Sequence, residues 1–140
     1  MKRAAKIIFS DNGGNYLIVF RSKHLAFPFD PDLPGGIVEK GESPILGLLR
    51  EVSEETGIKL NIKDIEKLCS SNKYYPGFTH YLYKAVFETE PAILLSAEHS
   101  HYLWLNYENF VSTVQTAADP YMHMVYDYLT GADSKLTRFR

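Results

Sequence analysis

Three carboxylates, Glu51, Glu54 and Glu55, stand at i, i+3 and i+4 in a stretch with helical signals. That spacing puts them one turn apart on one helical face. At ~5 Å and an effective dielectric of ~20, each like-charged pair costs about 3 kcal/mol while all stay ionised and unscreened. A bound divalent cation reverses the sign, because hard cations take several carboxylate oxygens as ligands. An all-oxygen set suits magnesium or manganese and argues against zinc. Such ions polarise carbonyl or phosphoryl oxygens and activate water, so the chemistry on offer is metal-assisted hydrolysis. Taken alone, E-x-x-E-E also suits a solvated, charged helix face.

The elements that must hold these acids can be laid out from the same stretch. Ser43 is a good N-cap and Pro44 fits the first helical position, where no N–H is needed. Gly57 fits the left-handed position that ends a helix. Between them, Ile45, Leu48, Leu49, Val52 and Thr56 make an apolar stripe with helical spacing. The stripe can pack on a sheet while the acids face a cleft. Gly47 is a glycine in a helix interior, which costs ~1 kcal/mol against alanine; its bare backbone suggests room for a ligand. Upstream, Leu33-Pro34-Gly35-Gly36 is a turn that glycine tolerates best. Ile37 and Val38 make a short strand, and Lys40-Gly41-Glu42 leads into the helix.

The full pattern is Gly36, five residues, Glu42, seven residues, Arg50-Glu51-Val52, one residue, Glu54-Glu55, one residue, Gly57-Ile58. This stretch, GIVEKGESPILGLLREVSEETGI, resembles the Nudix box of the Nudix hydrolases at every fixed position. The resemblance implies an α/β/α sandwich, a mixed sheet between helices with the box helix at the active cleft. It implies hydrolysis of a phosphoanhydride in a nucleoside diphosphate linked to another group, with Mg²⁺ or Mn²⁺ as cofactor. By resemblance, Glu54 and Glu55 are the main metal ligands, and Glu51 is a third ligand or orients the attacking water. A backbone carbonyl of Gly35 or Gly36 completes that set. Arg50 and Glu42 match positions that pair to hold loop and helix together. Glu98, six residues before Trp104, matches a downstream acid of the MutT-like branch that completes the metal site or acts as base. Nudix proteins also often dimerise.

The rest of the chain supplies a frame of matching size. The sequence has 140 residues, 45% hydrophobic, which suits one domain over residues 1–140 with a real core. A formal charge of −2 gives no general attraction to nucleic acid or membrane. Cys69 is the sole cysteine, so no intrachain disulfide is expected. No secretory signal or spanning apolar run appears, and a soluble, cytoplasmic protein is expected. Ala4 to Phe9 and Tyr16 to Phe20 read as a β-hairpin around Asn12-Gly13. Ile58 to Leu60 and Ile65 to Ser70 read as strands, as does Thr79 to Phe87. In the last, Tyr81, Tyr83, Ala85 and Phe87 share one face and Leu82 and Val86 the other. Next come a loop over Leu94 to Ser100, a strand over His101 to Leu105 and a short helical turn over Asn106 to Val111. Asp119-Pro120 opens the last helix, with Met122, Val125, Tyr126 and Leu129 as its stripe and Gly131 at its end. The tail DSKLTRFR reads as polar and frayed.

Substrate contacts are expected from Arg21, just past the second strand where a phosphate could lie. Tyr81 offers a ring for stacking on a base. Asp119 sits where MutT-like enzymes place an Asn or Asp that bonds an oxidised purine, although N-capping also explains it. Tyr74, Tyr75 and Pro76 lie near markers of dinucleoside-polyphosphate and ADP-ribose hydrolases. A nucleoside triphosphate, oxidised or not, cleaved to monophosphate and pyrophosphate is the expected substrate. ADP-ribose, nucleotide sugars and dinucleoside polyphosphates are the alternatives within the fold. A nucleotide-sensing module without turnover is the alternative outside enzymology.

Overall fold

The computed structural model describes residues 1–139. Its sheet contains β1 (Lys2–Asp11), β2 (Asn15–Arg21), β3 (Pro31–Asp32), β4 (Gly35–Ile37), β5 (Glu66–Ser71), β6 (Phe78–Phe87), β7 (His99–Asn106) and β8 (Thr137–Arg138). The helices are α1 (Pro44–Thr56), α2 (Tyr107–Gln115) and α3 (Pro120–Thr130). The main strand order is β3-β2-β1-β6-β5-β8, with β4 also paired to β1 and β7 to β2. β1 and β6 run parallel from Lys2↔Phe78 to Asp11↔Phe87, and the other pairings are antiparallel, so the sheet is mixed.

The first hairpin is splayed. β1 meets β2 at Ser10↔Tyr16, beside the turn. Farther along they diverge, and residues 31–37 fill the gap. β3 pairs with β2 at Val19↔Asp32, β4 pairs with β1 at Lys6↔Gly35, and Ile7 N donates to Pro34 O at 3.0 Å. This wedge brings the glycine turn and Asp32 into the middle of the sheet.

Alternation along the strands builds two cores. Ala4, Ile8, Ile18 and Leu82 face α2 and α3, against Phe110, Val114, Met122 and Val125. Ala5, Ile7, Phe9, Leu17, Val19 and Tyr83 face α1, against Leu48 and Val52. Apolar residues on both faces of one strand thus mark a sheet covered on both sides.

Several local expectations change. Residues 58–60 form no strand, and a 3-10 turn over Ile62–Asp64 precedes β5. The expected helical turn after Asn106 is the nine-residue helix α2, capped by Asn106 Oδ1 on Asn109 N at 2.8 Å. Val86 faces away from Tyr83 as read but is 51% exposed. Residues 133–139 of the tail are held rather than frayed, and Arg140 lies outside the described residues: β8 pairs with β5, and Arg138 donates to Asp133 Oδ1 and Tyr128 O, each at 2.7 Å. Its guanidinium lies 4.2 Å from the Tyr128 ring centre, a cation–π contact no spacing in the sequence announces. Among the described residues, no helix is long and apolar enough to cross a membrane.

Candidate active site

α1 is fixed at both ends by the residues read as its caps. Ser43 Oγ accepts from Leu46 N at 3.3 Å, and Gly57 takes the left-handed conformation with φ 74°. Leu48 and Val52 are fully buried against the sheet. That rotation sorts the three acids. Glu55 is 3% exposed, Glu51 is half-buried and Glu54 points outward with a side chain 58% exposed.

Glu51, Glu55 and Glu98 converge, each offering a carboxylate oxygen within 4.8 Å of the others. Glu98 comes from the loop before β7, tied down where Ser22 N donates to Glu98 O at 2.9 Å. Glu54 is the acid left outside this cluster, and its Oε2 lies 3.4 Å from Arg50 Nη1. Burial pushes the Glu55 carboxyl well above the ordinary carboxylate range; Lys6 opposes the shift and the neighbouring Glu98 reinforces it. Three acids this close either share protons or hold a cation. The donor set is all oxygen, so it fits a hard divalent cation.

The glycines make this packing possible. Gly35 N donates to Glu55 Oε1 at 2.9 Å. Its φ is 132°, and a Cβ there would lie 2.2 Å from Ala5 O. A Cβ on Gly36 would lie 2.9 Å from the Glu51 carboxyl carbon. Gly47 has another reason. A Cβ there would lie 3.1 Å from Glu42 Oε1 and 3.2 Å from Val38 Cγ1, so this glycine makes room for the protein's own loop rather than a ligand.

Arg50 holds the loop to the helix. It donates to Glu42 through Nε at 2.9 Å and Nη2 at 3.0 Å, to Glu51 Oε1 at 3.0 Å and to Ile37 O at 3.1 Å. The Arg50 bonds hold Glu42 down to about 2.

Beside the acids a cleft of about 400 Å³ opens over the α3-facing side of the sheet. Glu51, Glu55 and Glu98 line one part of it; Phe78, His80 and Tyr121 line another. Arg21 reaches it, donating to Ala26 O at 2.7 Å and Asp32 Oδ2 at 3.2 Å. Asp119 both lines the cleft and caps α3, accepting from Tyr121 N at 2.9 Å. Tyr81 does not line it: odd-numbered β6 positions face α1, and its ring packs there, while Phe78 and His80 take the cleft side. Tyr75 lines the cleft, whereas Tyr74 turns away to donate to Asp127 Oδ2 at 2.6 Å.

The cleft also holds residues the sequence reading left out. Asp32, 2% exposed, accepts from Lys6 Nζ at 2.5 Å and pairs with His99 Nε2 at 3.1 Å. Burial alone would raise the Asp32 pKa, but Lys6 and His99 outweigh it and hold the carboxyl below its usual range. Lys6 is the lone charge in an apolar strand run, and Asp32 directly precedes the glycine turn; those were the available signals. His99 is buried on Asp32 rather than solvated, and His101 stacks on Phe20 with ring centres 4.3 Å apart.

The chain and its fold have known relatives. A family model described as the NUDIX domain matches residues 1–127, and the chain belongs to that family. A MutT-like protein of Streptomyces ambofaciens is 30% identical over 104 residues, covering 72% of this chain; the aligned part spans 62% of that relative's length. Among solved structures, a MutT protein from Methanosarcina mazei Go1 superposes with a TM-score of 0.73 at 24% identity, covering 96% of each chain. A C. elegans Ap4A hydrolase gives 0.66 at 18% identity, covering 94% of this chain and 96% of its own. At these identities the two structures speak for the fold alone.

Proposed function

We propose that this protein is a divalent-cation-dependent hydrolase that cleaves a phosphoanhydride bond in a nucleoside diphosphate linked to another group. The observation that carries the reading is the convergence of Glu51, Glu55 and Glu98 within 4.8 Å at one part of an aromatic-lined cleft. In this reading the substrate is a nucleoside triphosphate, intact or oxidised on the base, and a cleft of about 400 Å³ gives room for a nucleotide. The MutT-like relative supports this class without selecting one member.

In this reading Glu51, Glu55 and Glu98 hold Mg²⁺ or Mn²⁺, with the Gly36 carbonyl added by resemblance. The ion, when bound, supplies charge neutralisation of the diphosphate and a more acidic water. The chain's own residues do the positioning. The Gly35 amide holds the buried Glu55, and the Arg50 fork holds Glu51 while tying Glu42 to the helix. Arg21 and Asp119, both in the cleft lining, would meet substrate phosphate and base respectively. Glu54, on Arg50 at the rim, would join Glu51, Glu55 and Glu98 as a further ligand by resemblance.

The setting that goes with this reading is soluble and cytoplasmic, with a small-molecule partner and neither nucleic acid nor membrane. The family resemblance adds a homodimer, which sedimentation would test. The deciding experiment is a nucleotide panel with Mg²⁺ or Mn²⁺ in oxygen-18 water, reading products and the labelled phosphate. Tight binding of a panel member with no phosphate or pyrophosphate released would point to a nucleotide sensor instead.

A further inference from the structure

Asp32 lies in the cleft with both oxygens spent. Oδ1 accepts from Lys6 Nζ at 2.5 Å and Leu33 N at 2.8 Å; Oδ2 lies 3.2 Å from Arg21 Nη1 and 3.1 Å from His99 Nε2. A carboxylate offers about four lone-pair sites, so Asp32 has nothing left for a ligand. Lys6 is the reverse case. An ammonium carries three N–H donors and no acceptor. Asp32 is its one hydrogen-bond partner among the described residues, with the Tyr121 ring centre 5.6 Å from Nζ. Lys6 is 7% exposed, and the side from which it can be reached is the cleft.

The cleft it faces carries the rings of Phe78, His80, Tyr121 and Phe27 on one side and the acids Glu55 and Asp119, which also act on the Lys6 charge, on the other. His80 and Tyr121 pack edge to face, with ring centres 4.9 Å apart. Such walls suit a planar ring, whereas the diphosphate belongs with the acids and their cation. A ring lying there meets an ammonium with unspent donors.

We propose that Lys6 is a specificity-determining residue: aimed by Asp32, its ammonium donates to a carbonyl oxygen on the nucleobase, so the cleft selects keto bases over their amino counterparts. An amino group in that place would set N–H against N–H and leave buried donors unpaired, which is how a polar site rejects a near-isostere. The inference rests on the cleft being a nucleoside site, and it narrows the substrate class to bases such as guanine, hypoxanthine, uracil and their oxidised forms.

Hypoxanthine and adenine differ in this way at one ring position, so IMP and AMP are the probes. Calorimetric titration of each into the full chain with Mg²⁺ should show IMP binding ~10-fold or more tightly. Lys6→Met should bring the two affinities within about twofold, by weakening IMP while AMP binds as well as before or better. If that variant does not fold, Lys6→Met with Asp32→Asn gives the same reading without a buried unpaired carboxylate. Equal affinities in the unmodified protein, no binding of either, or a preference that survives the substitution would overturn the inference. So would an equal loss for both nucleotides, which would assign Lys6 to phosphate or to packing. Parallel assays of ITP and ATP hydrolysis keep the two readings apart: selective binding without turnover sinks the hydrolase and spares the selectivity.

Discussion

Arg50 grips both oxygens of Glu42, Nε to Oε2 at 2.9 Å and Nη2 to Oε1 at 3.0 Å, and turns Nη1 to Glu51 Oε1 at 3.0 Å. One planar fork thus fixes the loop before the box helix and one acid of the cluster. A lysine carries a point charge and cannot match that geometry. Arg50→Lys is therefore expected to lower kcat by about 10–100-fold with KM nearly unchanged, since misplacing a positioned group by ~1 Å costs about that much. Steady-state kinetics on the best panel substrate checks it; a changed KM at constant kcat would contradict the positioning role.

The acids should not be equivalent. Glu55 is buried and Glu54 is exposed at the rim. Glu55→Gln should cut turnover by about 10²-fold or more, as expected for losing a group in the cation site. Glu54→Gln should cost less than Glu55→Gln under the same conditions. Single-turnover assays across a magnesium titration would decide, and equal losses would show that Glu54 enters the site fully.

Glu55 also predicts a stability–function conflict. Its folded pKa is raised, so in the chelated protein its contribution is fully present below the unfolded carboxylate value of about 4.3 and is lost as pH climbs above it. In EDTA, Glu55→Gln should raise Tm by a few °C near pH 8 and have little effect near pH 4. Magnesium should stabilise the unmodified protein and not the variant, as differential scanning calorimetry can read.

Asp32 anchors more charge than any other buried group described. Removing it strands Lys6 in the interior, and breaking a buried pair from one side costs about 3–5 kcal/mol. Asp32→Ala should approach that loss in urea unfolding. Lys6→Met with Asp32→Asn, which leaves no unpaired charge from the pair, should lose clearly less.

The residues legible from sequence were those with spacing to read. Ser43 and Gly57 announced the ends of α1, Leu48 and Val52 its buried stripe, and Arg50 and Glu42 their pairing. The sheet on two faces followed from apolar residues on both sides of the strand at Thr79 to Phe87. What stayed hidden depends on tertiary meeting. Nothing local says that Lys6, Arg21 and His99 share the Asp32 carboxylate, because the splayed hairpin brings them together. Tyr81 was misplaced for a related reason: facing depends on which side of the sheet carries the cleft, and alternation gives two sides without saying which. Spacing places Glu51, Glu54 and Glu55 on one helical face but cannot show how far the helix is rotated into the sheet, which leaves Glu54 at the rim and brings Glu98 to Glu51 and Glu55. β8 was missed because a two-residue strand has no period.

The parallel register of β1 on β6 has a consequence for how the chain reaches this state. Its first strand is central, yet the partner covering one whole edge begins at Phe78. During synthesis the segment Ala4 to Phe9 must therefore wait, unsealed, until the chain through Phe87 has emerged. Long-range closure of this kind slows folding and leaves a sticky intermediate open to self-association. Nascent chains arrested before Phe87 should accordingly be the aggregation-prone form of this protein.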